Sequence, residues 1–259
     1  MTDFTGDLAG CADLVRRGDP DRFRAAMAAP VAARHVLFPI YAFNVEVSRA
    51  PWMTQESMIA EMRLQWWRDA LDEIASGSTA RRHEVVTPLA KILDSEGAAL
   101  LDALIVARQW DIYRDPFEDD AHLTDYLEKT SGNLMLAAAR ALGRVDASVV
   151  MDAGYATGLA SWLRAIPALE DAGRIPLLDG RPDGIRALAE GGLRRLDAAR
   201  ARRAEISAEA RPALLVAWQA GGILRRATAQ PQLVAAGGLE PTAIRSSLSL
   251  AARSLSGQW

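Results

Sequence analysis

The stretch RHVLFPIYAFNVEVSRAPWMTQESMIAEMRLQWWRDALDEI, from Arg34 to Ile74, decides the fold of this chain. Its aromatic side chains alternate with charged ones, and they are Phe38, Tyr41, Phe43, Trp52, Trp66 and Trp67. Arg63 and Trp67 are separated by one helical turn, so they share one face of a helix. A helix of this kind is either a large core element with charges at its rim or the wall of a binding site.

The rest of the chain continues the helical pattern. Alanine and leucine are dense, and apolar residues recur at spacings of three and four. We find no alternating strand pattern and no repeat at a fixed period. Proline and glycine are scattered, so no linker divides the chain. The sequence therefore predicts an all-α fold, a single-domain helical bundle over residues 1–259 with about eight to ten helices.

Several boundaries follow from capping residues and prolines. Asp19 followed by Pro20 predicts a helix start, and Thr54 and Thr124 are predicted caps of later helices. The expected elements in the second half include helices over about 98–113, 124–142 and 147–166, and a loop over 167–183 that carries GRIPLL. Within the opening stretch, Arg68 is expected to pair with Asp72 on one helix face.

Composition indicates a globular protein of the cytoplasm. Half of the residues are hydrophobic and 24% are charged. The first ten residues lack the pattern of a signal peptide, and the longest apolar run, Ala213 to Leu224, is interrupted by Gln219. Cys11 is the single cysteine, which excludes an internal disulfide and a cysteine-based zinc site.

The net charge of −3 is unevenly distributed. Residues 1–180 carry 18 basic and 27 acidic side chains, whereas residues 181–259 carry 12 arginines and 6 acids. The excess of basic over acidic side chains peaks in LRRLDAARARRAE, from Leu193 to Glu205. This segment is either a solvated face or a contact surface, and the contact would be with an anionic membrane or an acidic partner. Nucleic acid is not expected as a partner, because this segment has no aromatic residues for stacking and the whole chain is acidic.

Few residues follow a known catalytic spacing. The three histidines are far apart, and neither a P-loop nor a GxGxxG motif occurs. Asp111, Asp115 and Asp119 recur at four-residue intervals, a spacing that could present acids to Mg²⁺. Pro116 breaks the helix between them, so a solvated helix end is the competing interpretation.

Four segments together resemble the squalene/phytoene synthase family, all-α enzymes of the isoprenoid synthase fold. They are Asp21-Arg22-Phe23 with Phe38 to Phe43, Arg63 to Arg68, LTDYLEKTSGNL from Leu123 to Leu134, and GLASWLRAIPALEDAGRIPL from Gly158 to Leu177. They occur in the family's order over about residues 20–180. The resemblance implies two aspartate-rich motifs that face each other across a cavity and hold Mg²⁺ for a substrate diphosphate.

Aligned on this family, the acids of both motifs are missing. The first motif falls on Ser48, Arg49 and Trp52, the second on Ala165 and Leu169, and Gly158 and Ser161 replace the usual Gln and Asn. We therefore expect no catalytic residue, no metal ligand and no cofactor. The residues that the resemblance retains for binding a ligand are Arg34, Tyr41, Glu46, Arg63, Trp67, Arg68, Arg164 and Arg174.

The combination of motifs is most similar to a degenerate branch of the family, which includes a mitochondrial complex I assembly factor and its bacterial relatives. This implies a non-catalytic binding or assembly factor in the biogenesis of respiratory complex I, with an isoprenoid or lipid-like ligand or respiratory-complex subunits as partners. Peripheral contact with the inner face of a membrane is an accompanying expectation.

Two alternatives stay open at this point. One is an active head-to-head prenyltransferase acting on isoprenoid diphosphates, in which Glu46, Asp111 and Asp115 bind Mg²⁺. The other is an interaction scaffold without a ligand cavity, in which Trp52, Trp66 and Trp67 fill the central space.

Overall fold

The computed structural model describes residues 4–54 and 56–259, which form helices and connecting turns and contain no β-strand. This agrees with the predicted all-α fold. The α-helices of this part of the chain are α1 Phe4–Gly18, α2 Pro20–Ala28, α3 Arg34–Arg49, α4 Ser57–Ala75, α5 Val86–Leu89, α6 Ser95–Arg108, α7 Asp120–Leu127, α8 Asn133–Leu142, α9 Ala147–Asp171, α10 Pro182–Ala201, α11 Arg211–Leu214, α12 Ala220–Ala229, α13 Gln232–Ala235 and α14 Ala243–Ser256.

Two helices form the centre of the bundle. Helix α3, in the opening stretch, packs against α1, α2, α5 and α8, and helix α9 packs against α7, α8, α10 and α12. Both are buried over most of their circumference, because apolar or small residues occupy nearly every turn.

Aspartates begin four of the helices. Asp19, Asp94, Asp119 and Asp146 each accept a hydrogen bond from a backbone N–H in the first turn of the following helix. The predicted cap at Asp19 is therefore confirmed. Thr124 was the wrong cap, because Asp119 begins α7 five residues earlier and leaves Thr124 inside the helix. The predicted cap Thr54 lies outside α4, where its hydroxyl accepts the Glu56 N–H at 3.1 Å.

The predicted continuous helix over 124–142 is interrupted. Helix α7 ends at Leu127, a π-helical turn covers Glu128–Gly132, and α8 then begins at Asn133. Helix α9 comes so close here that a Cβ on Gly154 would lie 2.6 Å from the Gly132 Cα. The wider π-helical turn allows α9 to pack this closely. The helical period of the sequence does not reveal such a turn.

Two other boundaries also differ from the predicted ones. Helix α6 begins at Ser95 and ends at Arg108, where a 3₁₀ turn follows, instead of running to Tyr113. Helix α9 passes through Pro167 to Asp171, so the loop predicted from Pro167 begins later. Burial of Ile166 and Leu169 holds this last turn, and Gly173 at φ +75° ends the helix.

Within residues 4–54 and 56–259, none of the helices combines the length and apolar character needed to cross a bilayer.

Candidate functional site

A central cavity of about 300 Å³ lies between α3 and α9. The end of α6, the turn after it and the α7–π segment close its remaining sides. Its wall combines rings, hydroxyls and two arginines, and the lining residues are Arg22, Asn44, Ser48, Trp52, Arg108, Asp111, Tyr126, Leu127, Thr130, Ser131, Gly158, Ser161, Trp162, Ala165 and Leu169. A cavity of this size and mixed lining suits a small apolar ligand with a polar group.

The structure brings four of the five aligned motif positions into this cavity. Ser48 and Trp52 line it from the α3 side, and Ala165 and Leu169 line it from α9. Arg49 is exposed and does not line it. The positions aligned with the two motifs thus face each other across the cavity and present a hydroxyl, an indole, a methyl and an isobutyl group to it.

A buried polar network forms one end of the cavity. Asp111 is only 4% exposed and accepts hydrogen bonds from Arg108 at 2.9 Å and from the Tyr126 hydroxyl at 2.9 Å. Burial raises the pKa of Tyr126 far above its ordinary value, so its phenol stays protonated and donates to the carboxylate. Burial alone would lower the pKa of Arg108, but the Asp111 carboxylate raises it, so the guanidinium stays charged.

Several polar atoms near the cavity lack a partner. The Nε atoms of Arg22 and Arg108 and the hydroxyl of Ser131 are buried and make no hydrogen bond within the described structure. Buried polar groups of this kind are normally satisfied, so each is an available partner for a polar group of a ligand. The residues that line the cavity therefore include three polar atoms without a partner in the described structure.

Aromatic rings pack around Tyr126, beside the buried polar network. Trp162 contacts the rings of Phe117 and Tyr126, and its Nε1 donates to the Pro176 carbonyl at 3.0 Å. Trp110 stacks on Phe117 with ring centroids 4.2 Å apart. These contacts hold the Trp162 ring, which lines the cavity, in place as an apolar surface that a hydrocarbon chain could cover.

Arg174, one of the predicted ligand-binding residues, lies beside these rings and does not line the cavity. It is buried, donates to the Asp111 carbonyl, and lies 4.7 Å from the centre of the Trp52 ring. Arg174 thereby connects the loop after α9 to Trp52, half of whose surface is exposed.

A second cavity of about 380 Å³ adjoins the first through Arg22, Ser161 and Ala165. Arg164 lines it, but its guanidinium already contacts Asp21 at 2.8 Å and Glu240 at 2.6 Å. Tyr41 is buried nearby, with the Arg22 guanidinium over its ring and its hydroxyl 3.5 Å from the Ala213 carbonyl. These two predicted binding residues are engaged within the protein itself.

The other predicted binding residues lie outside both cavities. Glu46, Arg63 and Trp67 line a separate groove of about 440 Å³ on the opposite face of α3, together with Trp66 and His83. Arg34 donates to the Met27 carbonyl at 2.8 Å. Arg68 pairs with Asp102 at 2.7 Å; the predicted Asp72 pairing is wrong because the neighbouring α6 offers a better placed carboxylate.

The positions of the tryptophans bear on the scaffold hypothesis. Trp52 lies at the rim of the central cavity, whereas Trp66 and Trp67 contact each other and His83 at the separate groove. The three rings therefore do not fill the space between α3 and α9.

The acids of the central cavity do not fit a Mg²⁺ cluster. Asp111 is the one acid among its described lining residues, and Arg108 and Tyr126 already bind its oxygens. Asp115 is exposed and Glu46 lies on the other face of α3, so the alternative ligand set is not brought together. In the part of the chain that the structure describes, no three acidic, histidine or cysteine side chains are grouped to hold a metal ion. Hard cations need several oxygen ligands, which this donor set does not supply.

Most of the lining residues were not assigned from the sequence. Arg22 and Tyr126 stood inside the quoted family segments, and Arg108 and Asp111 have the three-residue spacing of a helical ion pair. Those signals were available. Thr130, Ser131 and Trp162 also stood inside the quoted segments, but only the packing of the π-helical turn against α9 places them at the cavity.

Several known proteins are similar in sequence to this chain. The profile of the squalene/phytoene synthase family matches residues 15–177. The NADH dehydrogenase (ubiquinone) complex I, assembly factor 6 homolog of Drosophila melanogaster is 31% identical over 166 residues, covering 61% of this chain and 50% of that protein. The assembly factor 6 of Bos taurus is 28% identical over 173 residues, covering 61% and 48%. The chain spans about half the length of these curated relatives.

Solved structures show the same architecture. A dehydrosqualene synthase crystallised with a ligand gives a TM-score of 0.80 at 15% identity, covering 98% of this chain and 97% of that chain. Squalene synthase HpnC from Alicyclobacillus acidocaldarius gives 0.71 at 19% identity, covering 90% and 97%. The isoprenoid synthase fold expected from the sequence is thereby confirmed. The match over residues 15–177, close to the predicted 20–180, shows that the chain belongs to the squalene/phytoene synthase family.

Proposed function

We propose that this protein is a non-catalytic binding member of its family that takes part in the assembly of a respiratory NADH:quinone oxidoreductase. The donor set of the central cavity carries the first half of the proposal. Ser48, Trp52, Ala165 and Leu169 occupy the facing motif positions, and the single lining carboxylate is neutralised by Arg108. Without a set of acids, the cavity has no means of gathering metal ions around a leaving diphosphate.

The second half rests on the relatives. Those from Drosophila melanogaster and Bos taurus are both named complex I assembly factors, and their matching regions cover 61% of this chain. The proposed ligand is isoprenoid or lipid-like, because the cavity offers an aromatic wall for a hydrocarbon chain and unpartnered polar atoms for a head group. The ligand and the assembly role are separate inferences, since a shared fold does not fix a shared function, and each has its own test.

The catalytic half is tested by measuring pyrophosphate release from farnesyl diphosphate and from geranylgeranyl diphosphate with Mg²⁺ present. We expect the rate to equal that of buffer alone, with an active squalene synthase as positive control. Turnover well above the buffer rate would overturn the proposal and support the prenyltransferase alternative.

The assembly half is tested by deleting the gene and measuring NADH:quinone oxidoreductase activity in membranes. We expect that activity to fall while succinate:quinone oxidoreductase activity stays unchanged, and the intact gene should restore it. The Ala165→Trp variant places a large ring in the cavity and should fail to restore it if the cavity must hold a ligand. Unchanged NADH:quinone oxidoreductase activity in the deletion strain would contradict the assembly role.

A further inference from the structure

A pocket lined by arginines lies between α12 and α14, away from the central cavity. Its volume is about 250 Å³, and it borders the second cavity through Gln219 and Ile223. Arg225 and Arg226 of α12 and Arg245 and Arg253 of α14 all line it. Its remaining polar lining consists of Trp218, Gln219, Thr242, Ser246 and Ser249, and none of its described lining residues is acidic.

The four arginines have no carboxylate partner within the described residues. Glu240 is the one acid between Arg211 and Trp259, and its carboxylate is bound by Arg164. Burial lowers the pKa of Arg253, and the nearby charge of Arg225 lowers it further. The cluster is therefore a set of like charges held close together without compensation.

Two further hydrogen-bond donors lie beside the pocket, the indole N–H of Trp218 and the guanidinium of Arg24. Trp218 is almost fully buried, and its indole Nε1 has no hydrogen-bond partner. The Arg24 guanidinium lies 5.0 Å from the centre of the Trp218 ring and donates to the hydroxyls of Ser246 and Ser247. A buried N–H without an acceptor is unfavourable, and an anionic oxygen would be an acceptor for it.

The arginine-rich segment from Leu193 to Glu205 differs in this respect. Arg195 pairs with Glu128 and Asp152, each at 2.6 Å, and Arg202 pairs with Glu205 at 2.8 Å. Much of the positive charge that the sequence places on this segment is thus used within the protein. The uncompensated charge lies instead at α12 and α14.

The outer face of α14 is apolar and exposed. Ile244, Leu248 and Leu255 are 76%, 66% and 89% exposed, and their spacing places them on one face of the helix. The inner face carries Ser246 and Leu250, which are buried. An amphipathic helix with exposed apolar residues beside arginines has the character of a helix that lies in a bilayer interface.

We propose that the arginine-lined pocket binds the phosphate group of an anionic phospholipid while the apolar face of α14 lies on the bilayer. The guanidinium groups supply charge and hydrogen-bond donors to the phosphate oxygens, which Arg recognises with matched geometry. Ile244, Leu248 and Leu255 then leave water for the acyl boundary. This site is independent of whatever occupies the central cavity and of the chemistry there.

Co-sedimentation with phosphatidylcholine vesicles, with and without phosphatidylglycerol, tests the proposal on the full chain. We expect binding to the vesicles that contain phosphatidylglycerol and much weaker binding to phosphatidylcholine alone. The double variant Arg225→Gln with Arg245→Gln should partition about thirtyfold more weakly, because each arginine near an anionic surface contributes about fivefold. Both side chains are exposed, so circular dichroism should show an unchanged fold.

The matched control is Arg194→Gln with Arg203→Gln. These arginines are also exposed and unpaired in the described structure, and the control removes the same charge from a different face. It should weaken binding by about threefold or less. If both double variants lost vesicle binding equally, the effect would be one of general charge, and the proposed phosphate site in the pocket would be overturned.

Two further measurements separate the sources of the phosphate group and the role of α14. Leu248→Gln keeps every arginine and should weaken vesicle binding several-fold, and wild-type binding by this variant would overturn the proposed orientation of α14. Calorimetry with inorganic phosphate should show weak or no binding compared with vesicles. Tight binding of inorganic phosphate by a protein that ignores the vesicles would overturn the lipid assignment.

Discussion

Asp111 lies at the end of the central cavity with Arg108 and Tyr126 bound to its oxygens. From its spacing to Asp115 and Asp119, it could have been a metal ligand or part of a solvated helix end, and neither describes its position. It is a buried counter-ion for Arg108. Asp115 is exposed and Asp119 begins α7, so the three acids of one sequence pattern have three different surroundings.

Replacing Asp111 by Ala should lower the free energy of unfolding by about 3 kcal/mol or more, because the Arg108 guanidinium would lose its partner while staying largely buried. Urea denaturation followed by circular dichroism measures this loss. Asp115→Ala removes an acid of the same charge from the surface and should change the free energy by about 0.5 kcal/mol or less. Equal effects of the two substitutions would show that the buried network is not what stabilises this region.

At the level of elements, the contact between α9 and the π-helical turn shapes the cavity. Gly154 and Gly158 of α9 face Gly132 and Ser131, and a Cβ at either glycine would come within 2.6 Å of them. The close approach brings Thr130 and Ser131 to the cavity wall. Small residues on α9 are thus a requirement of packing, and the sequence shows them only as a helix rich in small side chains.

Gly154→Ala should destabilise the protein by about 1–3 kcal/mol, because its methyl group would collide with the backbone of Gly132 and neither helix can move without repacking. Gly222→Ala is the control of opposite sign. No atom lies within 4 Å of a Cβ built on Gly222, so this substitution should raise stability by about 0.5 kcal/mol through the helix preference of alanine. Thermal unfolding of both variants measures these changes in stability. A Gly154→Ala protein as stable as the wild type would contradict the packing argument.

Across the whole molecule, the last helix is attached differently from the rest. The main core joins buried residues from α1 through α13 and Trp259, whereas α14 itself contributes Leu250 to a smaller cluster with Ala25, Leu215 and Trp218. Its outer apolar residues are exposed. A helix held by few buried contacts is the part of a fold that opens most readily.

Hydrogen–deuterium exchange should therefore be faster in α14 than in α9 by at least about tenfold, since α9 is buried along nearly its whole length. Mass spectrometry of peptides from both helices measures the difference. Vesicles that contain phosphatidylglycerol should slow exchange in α14 and leave α9 unchanged. Equal protection of the two helices in the free protein would contradict the weak attachment of α14.

The sequence by itself determined the helical class, the central place of the stretch from Arg34 to Ile74, the start of α2 at Asp19–Pro20 and the family. These features depend on periodicity, capping residues and local motifs, which are properties of neighbouring residues. Only the tertiary structure decided which charges are neutralised: Arg68 pairs with Asp102 on another helix, Arg164 joins Asp21 to Glu240, and the arginines of α12 and α14 have no carboxylate partner among the described residues. The reason is that local spacing fixes contacts within one helix, whereas partners distant in sequence meet only when the helices pack.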